Sequence, residues 1–331
     1  MIEKNLIVGN SSIDNVIFPD GTFYRGICGG NGFHSSMAAS ILSKNVALLS
    51  TVPSNFPLKY LKKLSASGID ISGVAICNKS VECEELFVYE GNGDRQDGIF
   101  ICKGMLDELP DMLSPIAVKK LCSCDAKGYS FKDFHNEFKP NAKTIPAEWD
   151  IRSVHLAPTA LDVCISFLDM KIETKTLDPG KYLIGMQYER VVELVSKTTV
   201  FAPSQKEMSY IFPGLSLFES VARLGIDGRT NVVCKNGGNG SVVYDAFDGC
   251  VYSVGVFPSA SVDFTGAGDS FCGALSVCLS NGFSIIDSVR KATVVASKAI
   301  ETVSAVERNK IGQEFVEKHY MDVVVNKEFS T

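Results

Sequence analysis

Apolar and polar positions fall into short blocks whose period changes repeatedly along the chain. Residues 6–8 form a compact apolar run closed by Gly9, the pattern of a buried strand, and a second apolar stretch follows at 15–18. After the glycine-rich stretch 26–32, Met37, Ala38, Ile41 and Leu42 recur at helical spacing and predict a helix over 35–42. Residues 46–49 predict a strand, and 58–67 a helix ended by Gly68. Two β-type runs, 86–89 and 99–102, flank the turn sequence Gly91-Asn92-Gly93-Asp94 and predict a hairpin. Residues 106–150 carry no regular period.

From residue 151 onward the alternation becomes regular. Strands are predicted at 153–156, 174–177, 199–202 and 231–235, with helices at 161–170, 188–196 and 215–224 between and after them. A hairpin-like pair, 241–245 and 250–256, precedes two long helical segments at 270–280 and 285–302. Strands alternating with helices predict an α/β fold, a mainly parallel sheet covered on both faces. No repeat or linker divides the chain, so residues 1–331 read as a single domain.

Composition narrows the function classes. Of the 331 residues, 45% are hydrophobic and 21% charged, enough apolar material for a sizeable core. The excess of 38 acidic over 32 basic residues argues against a nucleic-acid partner. No apolar run is long enough to span a membrane, and the N-terminus lacks a signal-peptide pattern, so the expected location is cytoplasmic. The 11 cysteines are scattered without zinc-ligand spacing and read as free thiols.

The chemistry concentrates at Gly266-Ala267-Gly268, a glycine turn that opens directly into an apolar helix. Glycines let a ligand approach the backbone, and the free N–H groups of a helix start point at it, which makes an anion site. Asp269 falls in the first helical turn, where a carboxylate stays ionised. A carboxylate beside an anion cradle suits phosphoryl transfer to a hydroxyl, although a plain tight turn with a capping acid has the same spacing. A Rossmann turn is disfavoured because the segment after it looks mainly helical. Walker A and G-x-S-x-G sequences are absent.

Asp263-Phe-Thr-Gly-Ala-Gly-Asp269 closely resembles the C-terminal signature of the ribokinase-like (PfkB) family of sugar and nucleoside kinases, D-T-x-G-A-G-D, with Phe264 the one departure. Further resemblances follow in family order. Ile7-Val-Gly-Asn-Ser-Ser-Ile-Asp14 is similar to the opening strand, Gly29-Gly30 to the N-terminal double glycine, and Leu177-Asp178-Pro179 to the mid-chain strand end. Lys235-Asn-Gly237-Gly-Asn-Gly240 is similar to the nucleotide loop.

The resemblance implies a ribokinase-like three-layer sandwich with a small β lid built from about 14–28 and 81–103. It implies an ATP- and Mg2+-dependent kinase acting on a hydroxyl of a sugar, polyol or nucleoside. Asp269 would be the catalytic base and Gly266, Ala267 and Gly268 the anion hole. Asp14, Gly29, Gly30 and His34 would bind the acceptor, and Ser204, Lys235, Gly237, Gly240 and Thr293 the nucleotide. Glu207 would hold magnesium through water, and Asp263 and Thr265 a monovalent cation such as K+. Relatives often dimerise through lid strands, so the resemblance leaves a homodimer through those strands open, and the sequence does not fix the oligomeric state. Three departures stand out. His34 replaces the asparagine that follows the double glycine, Ser204 replaces the asparagine of N-x-x-E, and 51–55 lack a G-D pair. The acceptor is left open, and so is the alternative of a non-catalytic nucleotide- or sugar-binding regulator of the same fold.

Overall fold

Alternate residues of the central strands face opposite layers of helix. In β1 (Ile2–Val8), Ile7 packs into one core, while Leu6 and Val8 pack into another on the far side of the sheet. A strand buried on both faces reads as an unbroken apolar run, which is why the period-2 signal is absent there. The computed structural model describes residues 1–91, 95–96, 98–124, 130–303 and 311–331.

The N-terminal half continues with β2 (Ser12–Ile17), β3 (Phe23–Gly29), α1 (Asn31–Leu42), β4 (Val46–Val52), α2 (Leu58–Ala66), β5 (Val74–Ile76), β6 (Cys83–Val88) and β7 (Ile99–Cys102). Then come α3 (Lys103–Asp107), α4 (Pro115–Cys122), α5 (Phe131–Glu137), β8 (Trp149–Leu156), α6 (Leu161–Leu168), β9 (Thr174–Leu177) and α7 (Tyr188–Val195). The remainder is β10 (Val200–Phe201), α8 (Gln205–Ile211), α9 (Leu217–Gly228), β11 (Asn231–Lys235), β12 (Ser241–Asp245), β13 (Cys250–Val254), α10 (Ala267–Ser280), α11 (Ile285–Ala299), α12 (Gln313–His319) and β14 (Val325–Ser330).

The large sheet runs β14-β13-β12-β11-β10-β9-β8-β1-β4-β5. It is parallel from β5 to β11 and antiparallel across β12, β13 and β14. Helices α1, α10 and α11 pack on one face, and α6, α7 and α9 on the other. A separate small sheet runs β3-β2-β6-β7, with β2 and β6 parallel and the other pairs antiparallel. The α/β architecture is the one the alternation predicted, a mainly parallel sheet between helix layers with a second, smaller sheet.

Three differences from the sequence reading have physical causes. Helix α1 begins at Asn31 rather than at 35, because its first turn buries Asn31, His34, Ser35 and Ser36, polar residues that an apolar period cannot register. Residues 106–150 hold α4, α5 and part of α3, each too short for a helical period to show. Strand β14 was missed because five of its six residues are exposed and no buried face imposes alternation. The predicted turn residues 92–94 lie outside the described residues.

The small sheet has its own core on the side facing away from the large sheet. Ile17, Leu86, Val88 and Ile101 pack there against Leu106, Leu113 and Leu121 of the segment that follows β7. That segment also takes up the β3 edge, where Phe23 N–H donates to Asp111 O at 2.8 Å. No helix among the described residues is long and apolar enough to cross a membrane.

Candidate active site

The site starts where β1 ends. Gly29 and Gly30 join β3 to α1, and Gly30 has φ +88°, a conformation that disfavours any side chain. A Cβ on Gly29 would fall 1.8 Å from Asp14 Oδ2, so the double glycine is what lets the Asp14 carboxylate lie against this backbone. Asp14 is buried, and Ser12 Oγ donates to its Oδ1 at 2.7 Å. His34 Nε2 stands 3.9 Å from Asp14 Oδ2.

Parallel pairing places Glu85 of β6 directly beside Asp14 of β2, with both carboxyls on the cavity face. Burial, and then the Asp14 charge, push the Glu85 carboxyl up to about 8. The cavity, about 210 Å³, is lined by these two acids, His34, Arg95, Lys181 and Asp269. Asn10 holds the mouth together: its amide donates to Phe138 O at 2.8 Å, and Thr159 Oγ1 donates to its Oδ1 at 3.2 Å.

Helix α10 forms the floor. Its N-cap, Gly266, has φ +72° and carries no capping side chain. The N–H groups of Gly266, Gly268 and Asp269 have no backbone acceptor among the described residues, so they remain for a ligand. Ala267, expected in the same cradle, differs: its N–H donates to Phe264 O at 3.2 Å and closes the turn. Asp269 is half-buried at the junction of two compartments. Burial raises its carboxyl above the ordinary range; His34 opposes this and Asp178 adds to it.

The second compartment lies beyond the turn. Lys235, at the end of β11, pairs its ammonium with the buried Asp178 carboxylate at the end of β9. Cys272 Sγ lies 3.6 Å from both the Lys235 ammonium and Asp178 Oδ2. A Cβ on Gly268 would approach Lys235 Nζ to 3.6 Å, which sets the ammonium under the first turn of α10. Ser204 caps α8 in a reciprocal box with Glu207: Ser204 N–H donates to Glu207 Oε2 (2.7 Å), and Glu207 N–H to Ser204 Oγ (3.3 Å). Burial and the Asp178 charge raise the Glu207 carboxyl. Gly237 and Gly238 border open space, whereas Gly240, at φ +81°, packs against the Val254 carbonyl.

Three expected residues have other commitments. Thr293 is buried on α11 and donates its hydroxyl to Val289 O at 2.8 Å. Asp263 Oδ1 accepts from Tyr89 Oη (2.8 Å) and from Thr265 N–H (2.9 Å). Thr265 Oγ1 accepts from Arg95 Nη1 at 2.8 Å. Among the described residues no group of three acidic, histidine or cysteine side chains is arranged to hold a metal.

Sequence reasoning missed Glu85, Arg95, Lys181 and Asn10. One signal was present: in Cys83-Glu-Glu-Leu-Phe-Val88 an acid alternates with apolar residues on each face, so one of the two acids had to point inward.

Residues 182–311 match the family described as pfkB family carbohydrate kinase. A cytidine kinase of Thermococcus kodakarensis is 25% identical over 293 residues, 86% of this chain and 91% of that protein. Among solved structures, the Burkholderia thailandensis nucleoside kinase in complex with inosine superposes with a TM-score of 0.71 at 15% identity, covering 96% of this chain and 97% of that one. An E. coli ribokinase II structure in complex with ATP and Mg2+ gives 0.67 at 18% identity, covering 97% and 99%.

Proposed function

We propose that this chain, which belongs to the ribokinase-like PfkB family and is a phosphotransferase acting on an alcohol group, uses Asp269 as catalytic base to move the γ-phosphoryl group of Mg·ATP onto a hydroxyl of a sugar, polyol or nucleoside. The observation that carries this reading is the position of Asp269. It stands at the start of α10 between the Asp14–His34 cavity and the Lys235–Asp178 compartment.

The acceptor enters the cavity under the small sheet, with Asp14 accepting hydrogen bonds from its hydroxyls. Asp269 takes the proton of the attacking hydroxyl as the new O–P bond forms. The bond from the γ-phosphorus to the bridging oxygen breaks, and ADP leaves with that oxygen. The N–H groups at Gly266, Gly268 and Asp269, together with the helix dipole, hold the charge of the phosphoryl group in flight.

The second compartment fits the nucleotide. Open space at Gly237 and Gly238 leaves room beside the chain, and Lys235 offers a cation to the phosphates. A magnesium ion that arrives with ATP keeps most of its ligands as phosphate and water, so Asp178 and Glu207 are enough to hold it from the protein side. Among acceptors, nucleosides come first: the relative aligned over most of the chain is a cytidine kinase, and one structural neighbour holds inosine. Where a homodimer forms through the small sheet, the β7 edge and the part of the β3 edge beyond Phe23 are left to pair, since the outer face is covered.

The test is ADP release from Mg·ATP by the purified protein across nucleosides, pentoses, hexoses and polyols, with Asp269→Asn as control. Turnover that depends on the acceptor and vanishes in the variant supports the reading. Tight nucleotide binding without turnover on any acceptor favours the regulator instead.

A further inference from the structure

Two side chains of the small sheet reach across to the three residues that lead into the glycine turn. Tyr89 Oη donates to Asp263 Oδ1 at 2.8 Å and accepts from Phe264 N–H at 2.6 Å. Arg95 Nη1 donates to Thr265 Oγ1 at 2.8 Å, one residue before Gly266. The guanidinium lies over the Phe87 ring, with Cζ 4.3 Å from its centroid, so an aromatic face and a hydroxyl fix its plane and direction.

The position of this cation is unusual in two respects. It lines the cavity that also holds Asp14 and Asp269, next to the turn whose free N–H groups form the anion cradle. In addition, no ion pair among the described residues engages Arg95. Glu85, an acid of the same sheet that lines the same cavity, has its carboxyl raised by burial and then by the Asp14 charge, with Arg95 and Lys181 opposing, and it forms no ion pair with the guanidinium. A guanidinium has several donors in a rigid fork, and one of them on Thr265 leaves others for phosphate oxygens.

We propose that Arg95 is a catalytic residue of the transfer step, which stabilises the phosphoryl group in flight from the acceptor side while the N–H groups of α10 hold it from below. This rests on the kinase reading above. Thr265 and Phe87 are the positioning residues that hold the guanidinium in place, and Tyr89 docks the sheet that carries it. The positive charge is thereby supplied by the small sheet and completes the site only when that sheet is docked.

The experiment compares wild type with Arg95→Ala and Arg95→Lys in steady-state turnover and in affinity for ADP with aluminium fluoride, a mimic of the transferring group. The expected result is a fall in kcat of about 100-fold or more for Arg95→Ala, with both KM values within threefold of wild type. The mimic should bind correspondingly more weakly while ADP alone binds equally well. Arg95→Lys should recover only part, and added guanidinium ion should partly rescue Arg95→Ala. A kcat within threefold of wild type overturns the proposal, as does a loss carried entirely by the acceptor KM. If wild type turns over no acceptor, the kinase reading fails, and the mimic decides Arg95 alone: equal affinity in wild type and Arg95→Ala overturns it.

Discussion

The imidazole of His34 lies so close over Gly266 that a Cβ on the glycine would stand 2.3 Å from His34 Cγ. This contact ties the start of α1, the proposed acceptor side, to the N-cap of α10, the proposed phosphate side. Gly266→Ala therefore meets two penalties, the ring and a positive φ that costs an L-residue about 1–2 kcal/mol. The expected outcome is a lowered melting temperature and a fall in kcat of roughly 100-fold, because the free N–H groups of the turn shift. Wild-type turnover in a folded Gly266→Ala protein would show that the turn geometry does not govern transfer.

His34 itself is expected to act on the acceptor. Replacing it by Asn removes the ring from above Gly266 and ends its approach to Asp14. The acceptor KM should change at least several-fold and the order of preferred acceptors should shift, while nucleotide affinity stays the same. Competition assays with paired acceptors read this directly; an unchanged order would assign His34 to packing.

Asp269→Asn should lower kcat by roughly 10²–10⁴ and leave the nucleotide Kd within a few-fold. Burial raises the Asp269 carboxyl, so in wild type the acid limb of kcat/KM should titrate above the ordinary carboxylate range. Below that limb the base is protonated and the rate falls about tenfold per pH unit. A limb at or below the ordinary value would argue that another group takes the proton.

Much of this site was legible in the sequence because glycines and acids occur in it at fixed spacing. Gly266, Gly268, Asp269 and the double glycine lie at a strand end or a helix start, where residue type and backbone conformation are coupled, while Asp14 lies inside β2 and was found through its motif. Arg95 was not legible, and for Glu85 the alternation along β6 showed only that one of two adjacent acids faces inward. Their role depends on the pairing of β2 with β6 and on docking against Thr265, a separation of 170 residues for Arg95. For Thr293 the place in a helix was readable, but its bond to Val289 O was not.

Two buried histidines are expected to contribute to the loss of stability in acid. Burial holds His155 at about 4 and His135 at about 3, both below the unfolded value near 6.5. Their folded-state pKa values are depressed, so their contribution is fully present above pH 6.5. It is lost as pH falls through the window from 6.5 to 4 for His155 and to 3 for His135. His155→Gln loses the ring contact with Thr176 Oγ1 at pH 7 but should show a shallower fall in denaturation free energy between pH 6.5 and 4. Parallel wild-type and variant curves would show that His155 does not titrate in this window.

Self-association is the last expectation to test. The outer face of the small sheet is covered by the chain's own Leu106, Leu113 and Leu121, and the start of the β3 edge, at Phe23, by Asp111. Sedimentation at micromolar concentration should show a monomer in exchange with at most a weak dimer through β7. A tight dimer would require a surface other than that covered face.

The covered outer face also has a thermodynamic consequence. Leu86, Val88 and Ile101 pack on the segment after β7, so these contacts would be kept if the sheet moved off the cavity together with that segment. A swing of the sheet would then carry a preassembled paddle, with no oily back exposed to water. Closure should accordingly produce a small heat-capacity change, coming only from the inner face around Phe87 and Tyr89. The open enzyme should also remain soluble at concentrations where a bare four-stranded sheet would aggregate.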